Sequence, residues 1–197
     1  MRIYCATSNL RKLREFQQAG GGLTVEMQPG LEVIAPPEET GSTFAENAII
    51  KALYYGKYTA GWLFAEDSGL EVEALQGAPG IRSARFAGEN ATDEDNNRLL
   101  LERLAGAFSR RARYVASIAL VHHGELVKTF SGTVEGEILD APRGEGGFGY
   151  DPLFYYPPFK ATFAEVPLSE KQKVSHRARA LAAMFAFLRD LEQPEPR

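Results

Sequence analysis

Two adjacent carboxylates, Glu66 and Asp67, follow an apolar run over residues 62–65 and precede Ser68-Gly69. An apolar run closed by turn residues reads as a buried strand, so the pair is expected at the rim of a sheet, where ligands sit in open α/β folds. Side-by-side carboxylates repel unless a cation or a proton intervenes. The pair is therefore a candidate Mg²⁺ site, a candidate general base, or both. A further carboxylate is available from Glu39 in the acidic loop Glu38-Glu39-Thr40-Gly41. Mg²⁺ takes one or two carboxylates, with phosphate oxygens and waters completing its shell. A solvated loop is the plainer reading of the same residues.

Cationic and aromatic groups occur where an anionic, flat ligand would need them. Thr7-Ser8-Asn9-Leu10-Arg11-Lys12 lies between a strand pattern and a helix pattern. A helix start offers free N–H groups and partial positive charge, and Lys12 adds a full charge. Ser8 or Asn9 could equally be an ordinary helix cap. The Walker pattern of a P-loop is absent. Gly77-Ala78-Pro79-Gly80-Ile81-Arg82-Ser83-Ala84-Arg85 sets two arginines in a turn-rich stretch, fit for phosphate or for solvent. In Gly144-Glu145-Gly146-Gly147-Phe148-Gly149-Tyr150-Asp151-Pro152, glycines let backbone approach a flat ligand, and Phe148 could stack on a base or anchor a core. Lys171, His176 and Arg177 gather donors at the start of the last helix, where cations are disfavoured unless an anion is present. His122 and His123 lack metal-ligand spacing and read as surface residues at a hairpin tip.

The elements that must position these groups alternate between strand and helix patterns. Strands are expected at 2–6, 23–27, 31–34, 63–65 and 70–74, and a hairpin at 113–121 and 126–135 with a possible extension at 137–139. Helices are expected at 10–19, from the capping box Thr43-Phe44-Ala45-Glu46 to about 58, from Thr92 to about 108, and at 175–191. Residues 193–197 are expected to fray. At 197 residues, with 44% apolar and 24% charged side chains, the chain can bury one sizeable core. A net charge of −4 argues against bulk nucleic-acid or anionic-membrane binding. One cysteine, Cys5, excludes an intrachain disulfide and fits a reducing cytoplasm. No apolar run reaches transmembrane length.

In this order along the chain, the segments resemble the inosine triphosphate pyrophosphatase family. The resemblance rests on Thr7-Ser8-Asn9 with Lys12, Glu39-Thr40-Gly41 with Phe44-Ala45-Glu46-Asn47-Ala48, Asp67-Ser68-Gly69-Leu70, Gly77-Ala78-Pro79-Gly80, the run from Gly146 to Pro152, and Ser175-His176-Arg177. It implies one α/β domain over 1–197, with an elongated mixed sheet flanked by helices and two lobes around a substrate cleft. It implies a Mg²⁺-dependent homodimer that hydrolyses non-standard purine nucleoside triphosphates such as dITP, ITP and XTP. Asp67 then resembles the general base and metal ligand, and Ser68 its substrate-binding neighbour. Residues 7–12 (Thr7, Ser8, Asn9, Leu10, Arg11 and Lys12) resemble the phosphate-binding turn. Phe148, Gly149, Tyr150, Asp151, Lys171, His176 and Arg177 resemble the nucleotide-binding set. Many bacterial members carry Asp at the position of Glu66 and Gly at that of Ser8.

The implied reaction is NTP plus water to NMP and pyrophosphate. Asp67 polarises a water for in-line attack on the α-phosphorus, directly or through a metal shared with Glu39 or Glu66. Lys12 and Lys51 offset charge on the phosphates. A donor such as Lys171 or Arg177 aimed at the purine six position would accept hypoxanthine and reject adenine, which presents an amine there. Other readings are a pyrophosphatase for a different modified nucleotide and a nucleotide-binding regulator without turnover.

Overall fold

Strand β1 (Arg2–Cys5) begins the sheet because Ile3 and Cys5 alternate inward and are fully buried. Asn9 stops the extended chain and caps helix α1 (Leu10–Ala19), its side chain accepting from the Arg11 and Lys12 N–H groups. The glycines after α1 turn the chain into β2 (Thr24–Met27), which pairs parallel to β1 with Arg2 opposite Thr24. The computed structural model describes residues 1–192, and the expected fraying of 193–197 lies outside them.

The remaining elements are α2 (Phe44–Gly56), β3 (Trp62–Val72), α3 (Asp93–Arg103), β4 (Arg111–His122), β5 (Glu125–Ile138), β6 (Phe154–Tyr156), β7 (Ala161–Thr162), α4 (Leu168–Lys171) and α5 (His176–Glu192). The strands form one seven-stranded sheet in the order β2-β1-β3-β4-β5-β6-β7. Pairing is parallel on both sides of β1 and antiparallel on both sides of β6, so this is a mixed α/β sheet. The turn joining β4 to β5 is His123-Gly124, both at positive φ (51° and 79°), the backbone that a two-residue hairpin requires. Among the described residues no helix is long and apolar enough to cross a membrane.

Two compact units divide the chain. The first comprises Met1–Asp67, Ala116–Gly132 and the segment from His176 onward; the second comprises Ser68–Val115 and Thr133–Ser175. The first has a core on each face of its strands. Phe64, Ile3 and Cys5 pack with Phe16 of α1 and with Leu181, Met184 and Phe185 of α5. Leu63 and Ala65 pack with Ala48 and Ala52 of α2. Burial pushes the Cys5 thiol up to about 12, so it is an inert apolar filler. The second unit has one core, in which Leu70, Val72, Leu100 and Tyr114 meet Phe154 and Phe163.

The structure differs from the sequence expectation in four places, one being α3, expected to reach about 108, which ends at Arg103. Strand β3 does not stop at Ser68-Gly69 but continues to Val72. Gly69 serves close approach rather than a turn: a Cβ there would lie 2.3 Å from Ser83 Oγ and 2.7 Å from the Gly80 carbonyl. The acidic pair therefore sits in the middle of β3 but beyond the end of its neighbour β1, whose last pairing is Cys5 with Phe64. Residues 31–34 form a 3₁₀ turn (Leu31–Val33), not a strand, entered through Gly30 at φ 72° and anchored by buried Leu31. Strands β6 and β7 and helix α4 have no sequence signal; elements of two to four residues are too short to show a period.

Candidate active site

The pleat of β3 separates the two adjacent carboxylates. Successive side chains of a strand point to opposite faces. Leu63 and Ala65 face α2, and Asp67 follows them; Phe64 faces α1 and α5, and Glu66 follows it. The two acids therefore hydrogen-bond to different cations, Asp67 to Lys51 and Glu66 to Lys12 and Arg177, although the Lys51 charge is favoured by both.

Helix α2 supplies the partners of Asp67. Thr43 caps this helix by accepting from Glu46 N–H, and Glu46 in turn accepts from the Ser42 N–H and hydroxyl at 2.6 and 2.7 Å. Asn47 and Lys51 stand four residues apart, hence on one helix face. Lys51 Nζ donates to Asp67 Oδ1 at 2.7 Å and also meets Glu39 at 3.1 Å. Asn47 Nδ2 makes only a long contact, 3.5 Å, to Asp67 Oδ2, while its own Oδ1 accepts from Gly41 N–H at 2.8 Å. One oxygen of Asp67 is thus strongly engaged and the other weakly. Burial pushes the Asp67 carboxyl above the usual aspartate range against the pull of Lys51, and Glu39 and Glu66 add to the rise. Burial works against the Lys51 charge, but Asp67 and Glu39 hold its proton more firmly than usual.

Glu66 lies in a buried ion network on the other face. Lys12 Nζ donates to its Oε2 at 2.7 Å, and Arg177 Nε donates to its Oε1 at 3.1 Å. Arg177 Nη1 also donates to Glu15, and the guanidinium stays charged despite its burial because two carboxylates face it. With an oxygen on each cation, Glu66 is a counter-ion to both Lys12 and Arg177. The sequence reading offers Arg177 as a donor to the purine; in the structure two of its nitrogens bind Glu15 and Glu66. His176, the first residue of α5, is buried beside it in sequence.

The turn at residues 7–12 is an Asn9 cap. Asn9 Oδ1 takes the Arg11 and Lys12 N–H groups at 3.0 and 3.2 Å, and Thr7 Oγ1 takes Asn9 N–H at 3.2 Å. Ser8 and Leu10 are exposed. Of the two cations in this turn, Arg11 is exposed and Lys12 has its ammonium beside Glu66.

In the second unit a different cluster forms around Asp151. Its Oδ2 accepts from Lys171 Nζ at 2.6 Å and from Phe148 N–H at 3.0 Å, and its Oδ1 accepts from the Tyr114 hydroxyl at 3.2 Å. Gly147 has φ 69°, and a Cβ there would lie 2.2 Å from Asp151 Oδ2, so glycine is required for the carboxylate to reach Phe148 N–H. Lys171 Nζ lies 4.8 Å from the centre of the half-buried Phe148 ring, within cation–π range. Tyr150 turns inward, donating to the Ser83 carbonyl at 2.8 Å, and belongs to the core. Ser68 is half-buried within β3. Arg82 is exposed and half-buried Arg85 meets exposed Glu89 at 3.7 Å, so that loop is a surface. His122 stacks on Trp62 at 4.2 Å, and His123 is exposed.

The model of the Ham1 family matches residues 3–187. The chain belongs to the Ham1 family. A dITP/XTP pyrophosphatase of Acidobacterium capsulatum is 47% identical, covering 94% of this chain and 97% of that one. One from Thermus thermophilus is 46% identical, covering 100% and 95%. The Ham1 protein of Staphylococcus aureus superposes with a TM-score of 0.88 at 42% identity, covering 98% of this chain and 100% of that one.

For a Ham1 chain the metal question turns on the donor set. Among the described residues no group of three or more His, Cys, Asp or Glu side chains is arranged to hold a metal. Glu39 and Asp67 nevertheless converge on one cation, Lys51 Nζ. Two hard carboxylates fit Mg²⁺ when phosphate oxygens and waters supply the rest. Sequence reasoning missed Glu15, although its three-residue spacing from Lys12 on α1 puts both on one face. It also missed Tyr114, which reads as any other apolar position of a strand.

Proposed function

We propose that this Ham1-family chain is a Mg²⁺-dependent pyrophosphatase that hydrolyses non-standard purine nucleoside triphosphates, of the dITP and XTP kind, to the monophosphate and pyrophosphate. The observation that carries this reading is the half-engaged Asp67 carboxylate: Oδ1 is held by Lys51 at 2.7 Å, and Oδ2 has only the long Asn47 contact. An oriented carboxylate with spare lone pairs and a raised proton affinity suits a general base. Asp67 takes a proton from water as the water oxygen bonds to the α-phosphorus, and the bond from that phosphorus to the bridging oxygen of pyrophosphate breaks. Lys12 and Lys51 place positive charge where phosphate charge develops. Glu39 and Asp67 would hold Mg²⁺, which when bound neutralises phosphate oxygens and acidifies water.

Base recognition falls to Phe148 and Lys171. Phe148 supplies a stacking surface beside Lys171. Lysine only donates, so Lys171, fixed by Asp151, suits a six-position carbonyl and rejects an amine. We take the enzyme to act as a homodimer, as the resemblance implies, and in the cytoplasm, which its single free cysteine fits. Sedimentation and cell fractionation test these two points.

Steady-state rates with dITP, XTP, ITP, ATP and GTP, with and without Mg²⁺, test the function. Pyrophosphate release from the first three, dependent on the metal, is the expected result. Equal turnover of ATP, or binding without release, overturns it.

A further inference from the structure

Helix α3 carries two polar residues that neither capping nor the core explains. Its N-terminus is already closed by a capping box: Thr92 accepts from Asp95 N–H, and Asp95 accepts from Thr92 N–H. Asp93 is therefore not needed as a cap. Its Oδ2 instead accepts from Gly149 N–H at 2.9 Å. One turn further along the same face, Asn97 Nδ2 donates to the Gly149 carbonyl at 2.9 Å. A single glycine is thus gripped on both sides of its Cα by one helix.

The gripped residue is the one that most needs holding. Gly149 has φ 63°, and a Cβ there would meet nothing within 4 Å, so glycine is present for its backbone conformation and not for want of space. Glycine has the widest conformational freedom of any residue, and this loop also contains Gly144, Gly146 and Gly147. Left to itself such a loop would sample many shapes, and Phe148 would sample them with it. On the other side Phe148 N–H is fixed by Asp151. Asn97 leaves its Oδ1 buried with no hydrogen-bond partner among the described residues. Turning that amide over would set its oxygen against the Gly149 carbonyl, so the donor contact alone fixes its orientation.

We propose that Asp93 and Asn97 are positioning residues for nucleobase binding: by clamping the N–H and C=O of Gly149 they hold Phe148 at the angle at which a purine stacks. This rests on the reading of Phe148 as the stacking residue. The clamp acts on the base and not on the phosphates, so it sets KM and base preference rather than the chemical step.

Four variants test it: Asn97→Asp, Asp93→Ala, Asp93→Asn and Phe148→Ala, each with dITP and Mg²⁺. Asn97→Asp keeps the shape but sets an acceptor against the carbonyl; it and Asp93→Ala are expected to raise KM about tenfold, with kcat within about twofold. Asp93→Asn retains an acceptor for Gly149 N–H and is expected to stay within about twofold of the parent in KM. Inhibition by inorganic pyrophosphate, which probes the phosphate side, should be unchanged in all four, and thermal melting shows which variants are folded. If Asp93→Ala does not fold, Asn97→Asp decides. An unchanged KM in Asn97→Asp while Phe148→Ala raises KM overturns the clamp. An unchanged KM in Phe148→Ala overturns the stacking reading itself. Equal losses in kcat and in pyrophosphate affinity also overturn the clamp, because they mark general damage.

Discussion

Each unit contains a buried aspartate–lysine pair of nearly the same length, and the two pairs are finished differently. Asp67–Lys51 measures 2.7 Å, with side chains 12% and 13% exposed; Asp151–Lys171 measures 2.6 Å, with side chains 3% and 4% exposed. Asp151 has three donors within 3.2 Å. Asp67 has one short donor and one at 3.5 Å. A carboxylate whose lone pairs are filled by the protein is a joint. One with open capacity can take a proton or a cation from a ligand. The number of contacts to each oxygen, more than the ion pair itself, separates a fixed group from a reactive one.

Three measurements can break or sharpen this contrast. The largest effect belongs to Asp67→Asn, expected to lower kcat by about 10²–10⁴-fold while leaving the melting temperature at or above that of the parent. A folded variant with unchanged kcat would remove Asp67 from the chemistry. Asp151→Ala is expected to cost about 3–5 kcal/mol in urea denaturation because it leaves Lys171 buried without its counter-charge, and to raise KM by releasing Lys171 and Phe148, without the kcat loss of Asp67→Asn. A loss of kcat there without loss of stability would erase the contrast. The smallest effect is on pH dependence. Because the folded-state pKa of Asp67 is raised, the folded protein binds this proton more readily than the unfolded chain does. Ionised Asp67 is therefore a cost above that pKa, and the cost is relieved as pH falls through it. Without Mg²⁺, Asp67→Asn should be more stable than the parent near neutral pH, and that advantage should vanish in acid. An advantage that grows in acid would reverse the assigned direction.

Much of this was legible in the residues. The capped helix starts at Asn9, Thr43 and Thr92 follow from side chains that compete for free N–H groups. The His123-Gly124 hairpin follows from a glycine between two alternating runs. The residues of the Phe148 loop were legible from their composition, but Asp151 as the hub of that loop was not, because its three partners come from β4, α4 and the loop itself. The continuation of β3 through Ser68-Gly69 was hidden because glycine reads as a turn residue, and only the nearness of Ser83 and Gly80 shows it to be a packing residue. Glu15 and Arg177 are 162 positions apart, so no local pattern could have joined them.

The opposite outlook of Glu66 and Asp67 has a consequence for how this gene can vary. Parity along β3 assigns each acid its neighbours, so losing or gaining one codon between 62 and 65 would exchange them, sending the shorter acid toward Arg177 and the longer one toward Lys51. Point changes in that stretch leave the alternation of the strand in place, whereas a single-codon indel there inverts the wiring on both sides at once.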